Sequence, residues 1–230
     1  MNLQELKQQT ICQNLGIGSD KFSEIVSFID FANVNKWYEN DRFWVEGQPL
    51  LKNEEIGINL EGLKVFLGLF SKETRFYYGT DSDNEKSTKF MGAARYFFGD
   101  RKVFTKPVQK IKHYIGDIDP HCVTRLIKND AHGSYITIPK SNFDVEITLD
   151  AIRLSSKYKT ICLLSGDADF VPLLRALKSQ GKKIILIKGG FIQESLKKAS
   201  DIVINAQDIK QYIATKKQKP GQNGPVFANS

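Results

Sequence analysis

No apolar run in this sequence approaches the ~20 residues that a membrane-spanning helix needs. The opening stretch, MNLQELKQQTICQNLG, lacks the basic-then-apolar layout of a signal peptide, so the expected location is cytoplasmic, with no membrane partner. Cysteine is scarce. Cys12, Cys122 and Cys162 lie far apart, form no CxxC and cannot pair evenly, so reduced thiols are expected rather than a disulfide framework. Histidine is also scarce. His113, His121 and His132 fall near Cys122, but nothing pairs as CxxC or HxxxH, and zinc needs tightly spaced ligands. There is no P-loop and no GxGxxG, so a nucleotide cofactor is not indicated. No internal repeat is present, which excludes a solenoid.

What remains is an ordinary globular composition: 230 residues, 41% hydrophobic and 26% charged. The net charge is +7. A basic surface favours polyanions, above all nucleic acid. That signal is modest alone, and it gains weight if acidic side chains gather at one spot. A basic chain with a local acidic cluster suggests a cation held against a phosphate substrate.

Such a spot exists. Ile161-Cys162-Leu163-Leu164 is an apolar run that reads as a buried strand. It stops at Ser165-Gly166, and two carboxylates follow, Asp167 and Asp169. Next comes a helical stripe of Val171, Leu173, Leu174 and Leu177, closed by Gly181. Acids at the carboxyl end of a strand occupy the edge where open α/β sheets bind ligands. One Asp is explained by helix capping; capping gives no reason for the second.

The rest of the chain alternates strand and helix. Residues 1–22 read as an N-terminal extension with one short helix. Strands are expected at 25–30, 75–79, 102–105, 161–164, 183–187 and 201–204. Helices are expected at 54–70, 88–98, 143–158, 171–181, 193–199 and 208–217. In the helix at 143–158, Val145, Ile147, Leu149 and Ile152 are available for burial. Residues 107–140 read as an excursion from the main sheet, with HCVTRLI and SYITIPK as strands flanking the turn-like KNDAHG. Residues 216–230 have the composition of a disordered basic tail. The fold class is therefore α/β, a three-layer α/β/α domain over 23–215 with a mainly parallel sheet.

Four acids recur at strand ends or helix starts. Asp30 ends the first strand, Asp144 opens a helix, and Asp167 and Asp169 follow the fourth strand. Parallel strand ends of one sense lie on one edge, so Asp30 and Asp167 can converge. Clustered carboxylates repel one another unless a cation is present, and hard oxygen ligands suit Mg²⁺ or Mn²⁺. Each acid also has a capping reading; Ser141-Asn142-Phe143-Asp144 fits S-x-x-D.

These residues carry a resemblance. FIDFAN resembles the strand-one signature of NYN domains, FDVEITLDAI resembles their second motif, and LLSGDADFVPLLRALKSQGKKIILI is similar to their third block throughout. The order is right and the likeness covers about residues 25–205. The chain resembles a LabA-like NYN protein of the PIN-like superfamily. That resemblance implies a PIN-like fold and a divalent-metal-dependent endoribonuclease acting on RNA, single-stranded or structured. It carries catalytic and metal-binding roles onto Asp30, Asp144, Asp167 and Asp169. It carries a water- or phosphate-orienting role onto Asn33, and a turn that aims Asp167 onto Ser165 and Gly166. One departure is PKSNFDV, where Lys140 stands one residue further from the motif than usual.

Other candidates are weighed against it. Asp150, six residues after Asp144, does not share its helix face and is expected to form a salt bridge. Trp37, Tyr38, Phe43 and Trp44 stack on bases if exposed and belong to the core if buried. Lys182, Lys183, Lys197 and Lys198 are the expected substrate-binding patch, or else a solvated face. Three functions compete: a metal-dependent endoribonuclease, a catalytically weak nucleic-acid-binding or regulatory module, and a phosphatase or 5′-nuclease that uses the same metal logic and that the sequence does not separate from the first. Each is compatible with a homo-oligomer.

Overall fold

A computed structural model describes residues 3–114 and 127–219. In chain order the elements are α1 (Leu3–Asn14), β1 (Ile25–Asp30), α2 (Phe31–Val34), β2 (Glu54–Ile58), α3 (Leu60–Gly68), β3 (Ser71–Thr80), α4 (Glu85–Phe98) and β4 (Val103–Pro107). Then come β5 (Gln109–Tyr114), β6 (Lys128–Asp130), β7 (Gly133–Lys140), α5 (Asp144–Arg153), β8 (Thr160–Leu164), α6 (Val171–Ser179), β9 (Lys183–Lys188), α7 (Glu194–Ala199), β10 (Ile202–Asn205), α8 (Ala206–Ile213) and β11 (Ala214–Gln218).

The central sheet has six strands in the order β10-β9-β8-β1-β3-β4, and every pairing is parallel. Both faces are covered, which is why its inner strands are apolar throughout rather than alternating. One core joins Ile25, Ile29, Cys162, Leu164, Ile185 and Ile187 to the helices α2, α3, α4 and α8. The other joins Val26, Phe28, Ile161, Leu163, Ile184 and Leu186 to α5, α6 and α7. This is the expected three-layer α/β/α architecture. Residues Ile17 and Phe22 of the expected extension are buried in the first core, with Ile11, Cys12 and Leu15 packed against it.

Two expected helices change identity at one place. Glu54–Ile58 is a strand, not the start of a helix, and it pairs antiparallel with Ala214–Gln218, which is a strand rather than the end of one. Locally the cause is visible. Ile56 and Ile58 are buried while Glu55 is exposed, a period of two. Asn59 then caps α3, its side chain accepting from the Gly62 N–H at 3.0 Å. The partner strand lies more than 150 residues away, so periodicity within 54–70 alone does not reveal the pairing. Lys216 and Lys217 thus belong to a ladder, and the boundary expected at residue 215 falls inside it.

The excursion is a three-stranded antiparallel sheet in the order β5-β7-β6, with the turn at Ala131–His132 where KNDAHG predicts it. The strand expected over HCVTRLI, with His121 and Cys122, lies outside the described residues, as do residues 220–230 of the tail. In α5 the apolar expectation fails in part. Ile147 is buried, but Val145, Leu149 and Ile152 are exposed, because Ile147 and Ala151 alone face the sheet. No helix among the described residues is long and apolar enough to cross a membrane.

Candidate metal centre

The parity of the strands decides where the acids point. Side chains alternate across a sheet, so Asp30 shares the face of Val26 and Phe28, and Ser165 shares that of Ile161 and Leu163. Both therefore face the α5 side, at the carboxyl edge, where β1 and β8 run side by side with Ile29 opposite Leu164. α5 starts at that same edge and brings Asp144. The turn after β8 brings Asp167 and Asp169. One carboxylate oxygen from each of Asp144, Asp167 and Asp169 lies within 4.8 Å of the other two. Among the described residues this is the grouping of three or more ligating side chains.

Asp30 sits behind this trio and is only 7% exposed. The fully buried Ser165 joins the two layers: its Oγ donates to Asp30 Oδ2 at 3.0 Å and accepts from the Asp167 N–H at 3.2 Å. Asp167 in turn accepts from the Asp169 N–H at 3.0 Å, so the capping reading holds for Asp167. For Asp144, Asn142 accepts from its N–H at 2.8 Å, and Phe143 is the residue at the cap position.

The electrostatics follow the geometry. Burial pushes the Asp30 carboxyl up to about 6. The Ser165 hydroxyl and the Asn33 backbone N–H oppose that rise, and the charges of Asp144 and Asp167 add to it. The Asp144 carboxyl is also raised, first by burial and then by Asp167 and Asp169, against the pull of Asn142 and Lys106. Crowded acids held up in this way are poised for a cation.

Asn33 is held by its side-chain oxygen at the turn. Its Oδ1 accepts from the Gly166 N–H at 3.1 Å and from Trp37 Nε1 at 3.1 Å. The side chain clamps the turn that carries Asp167, and the indole fixes the amide. Trp37 and Tyr38 are buried, so of the four aromatics these two are core; Trp44 is half-buried, and Phe43 is exposed. Asp150 forms its ion pair, but in a half-buried setting: Arg75 Nη2 at 2.9 Å and Tyr77 Oη at 2.7 Å both donate to it.

The expected lysine patch is displaced. Lys183 opens β9 and pairs with Thr160, the first residue of β8, so it stands at the amino edge. A five-residue strand, ~16 Å long, separates that edge from the acids. Lys182 Nζ is spent on the carbonyls of Ser155 and Tyr158. Lys197 and Lys198 end α7 just before Asp201, whose carboxylate accepts from the Ile184 N–H at 2.8 Å, again at the amino edge. A cation at the acid edge is Lys106, at the carboxyl end of β4, whose charge acts on the Asp144 carboxyl. It pairs with Glu146 at 2.6 Å and lies 4.6 Å from the Phe143 ring centroid. Nothing in the local sequence singles it out, since its approach to Asp144 depends on the sheet order. Lys140 lies in β7, paired with Gln109.

The sequence matches a known family. The NYN domain model matches residues 25–209. The chain belongs to the NYN domain family. That family is part of the PIN-like nuclease superfamily and is typically dependent on divalent metals. The chain is 32% identical over 109 residues to the low amplitude and bright protein LabA of Synechococcus elongatus, covering 46% of this chain and 59% of LabA. It is 28% identical over 138 residues to an uncharacterised protein of Methanocaldococcus jannaschii, covering 54% of this chain and 57% of that one. The matches thus span less than two thirds of either relative. A solved structure of a protein of unknown function from Vibrio parahaemolyticus superposes with a TM-score of 0.53 over 85% of this chain and 99% of that one. At 20% identity it supports the fold alone.

Proposed function

We propose that this NYN protein is a divalent-metal-dependent ribonuclease that cleaves internal phosphodiester bonds. The observation that carries the reading is the set of three carboxylates whose oxygens lie within 4.8 Å of one another at the ligand-binding edge of the sheet. The donors are all hard oxygens, which fits Mg²⁺ or Mn²⁺. Asp144, Asp167 and Asp169 would hold the ion, with Asp30 behind them as the fourth acid of the set. When bound, such an ion activates water and offsets charge on the phosphodiester. The chain's own contribution is positioning. Ser165 fixes Asp30 and the Asp167 backbone in one network, and Asn33 with Trp37 fixes the turn. The net charge of +7 favours a polyanionic substrate.

The test is an incubation of single-stranded RNA, structured RNA and DNA with Mg²⁺, Mn²⁺ or EDTA. RNA cleavage is expected with metal and not with EDTA, and Asp167→Asn is expected to abolish it. Mn²⁺ is also expected to raise the melting temperature of the wild type but not of Asp167→Asn/Asp169→Asn, because a ligand bound only to the folded state stabilises it. RNA binding with no metal-dependent cleavage would turn the assignment to the regulatory module.

A further inference from the structure

Phe191 is the most exposed large hydrophobic residue among those described, at 94%. Single exposed apolar side chains are common and need no explanation. The setting of this one is different, because the chain on both sides of it is pinned. Gly189 lies against Trp37, where an added Cβ would come within 2.5 Å of the indole Cδ1. Gly190 has φ +60°, a left-handed conformation that glycine adopts without strain. Lys188 Nζ donates back to the Gly190 carbonyl. On the other side, Ile192 Cγ2 would be 3.4 Å from a Cβ on Gly166, the residue before Asp167. The same Trp37 that seats Gly189 is bonded to Asn33, which holds Gly166. One network therefore fixes both the metal turn and the loop that presents the phenyl ring.

We propose that Phe191 is a stacking platform for the nucleobase beside the phosphate that a cation on Asp144, Asp167 and Asp169 would bind, and that the site accordingly takes single-stranded rather than duplex nucleic acid. The proposal rests on the nuclease reading above and names its substrate class. The sheet order supports the placement: β9, which leads into the loop, is the neighbour of β8, which leads into the acids, with Ile187 opposite Leu164. A base in a duplex has both faces covered by its neighbours, so only an unpaired, unstacked base can lie on the ring. A phenyl face accepts any base, which predicts weak sequence preference at that position.

The experiment uses the full chain carrying Asp167→Asn, so that RNA survives titration, and a single-stranded RNA with one 2-aminopurine. Stacking is expected to quench the 2-aminopurine. Adding Phe191→Ala is expected to remove the quench and weaken single-strand binding by roughly tenfold or more, the usual loss for one stacked base. Phe191→Trp is expected to restore both, and affinity for the matching duplex is expected to be the same in all three. The ring is exposed, so equal melting temperatures check that the fold is intact. Equal quench and affinity in Phe191→Ala overturn the platform. Cleavage by the otherwise unaltered chain separates the two claims. Metal-dependent cleavage with no Phe191 dependence in the titration leaves the nuclease and removes the platform. Phe191-dependent quenching without cleavage leaves the platform and removes the nuclease. Absence of RNA binding removes both.

Discussion

Asp30 is a carboxyl whose burial works against the stability of the fold. Its carboxyl is pushed up to about 6, mainly by burial. A folded-state pKa raised above the unfolded one favours the protonated form. The penalty on the folded state is absent below about pH 4, where both states are protonated, grows as pH rises from there to about 6, and is complete above it. Asp30→Asn is therefore expected to stabilise the metal-free protein in EDTA at pH 8 by on the order of 2–3 kcal/mol, a gain that vanishes near pH 4. Thermal melts across that range check it; an unchanged or lowered melting temperature at pH 8 would show that the carboxylate is better stabilised than its burial implies. Ser165→Ala has the opposite sign. It removes the donor to the Asp30 carboxylate, so a loss of about 1–3 kcal/mol is expected at pH 8, shrinking as Asp30 protonates.

Among the elements, α3 and α8 pack with their backbones close together. A Cβ on Gly62 would stand 2.4 Å from the Tyr212 carbonyl oxygen, whereas one on Gly68 would meet nothing within 4 Å. In an isolated helix both Gly→Ala changes are favourable by about 1 kcal/mol. Here the signs are expected to split. Gly62→Ala forces the helices apart and lowers stability by about 1–3 kcal/mol, while Gly68→Ala is neutral or mildly stabilising. Denaturant titration of both variants checks this, and equal behaviour would refute the close contact. In the same region the local sequence pattern misled. The helix expected over 54–70 is half strand because Ile56 and Ile58 bury themselves only when Ala214–Gln218 arrives from the far end of the chain. By contrast, β1, β8 and β9 were legible to within a residue or two, since strands covered on both faces must be apolar throughout.

At the scale of the molecule, the acids stand at the carboxyl edge of the sheet, whereas Lys182, Lys183, Lys197 and Lys198 stand at the amino edge. Replacing Lys182, Lys183, Lys197 and Lys198 with Ala is thus expected to leave the metal-dependent cleavage rate within about twofold of wild type. Stability is expected to fall, because Lys182 bonds the carbonyls of Ser155 and Tyr158. A cleavage loss of tenfold or more, with the fold intact, would mean that RNA wraps from one edge to the other. Lys106→Ala, at the acid edge, is expected to weaken cleavage and to raise the Asp144 carboxyl further. The comparison of the two variants on one substrate checks both.

By itself the sequence determined the class of fold and the acids. An apolar run ending in Ser-Gly-Asp-Ala-Asp can hardly be other than a buried strand delivering carboxylates to a sheet edge, because alternation and capping leave few other uses for that order. It pointed to Asp30 and Asp167 at one edge, since parallel strand ends of one sense lie together, while the grouping of Asp144 with Asp167 and Asp169 is seen in the structure. Only the tertiary structure decided which neighbours those acids keep. That Ser165 bridges Asp30 to Asp167, that Asn33 clamps the turn, that Lys106 stands at the acid edge while Lys182 and Lys183 stand at the far one, and that Ile192, next to Phe191, lies against Gly166 are consequences of strand order and register. Those contacts join residues tens to more than a hundred positions apart, and no local periodicity encodes them.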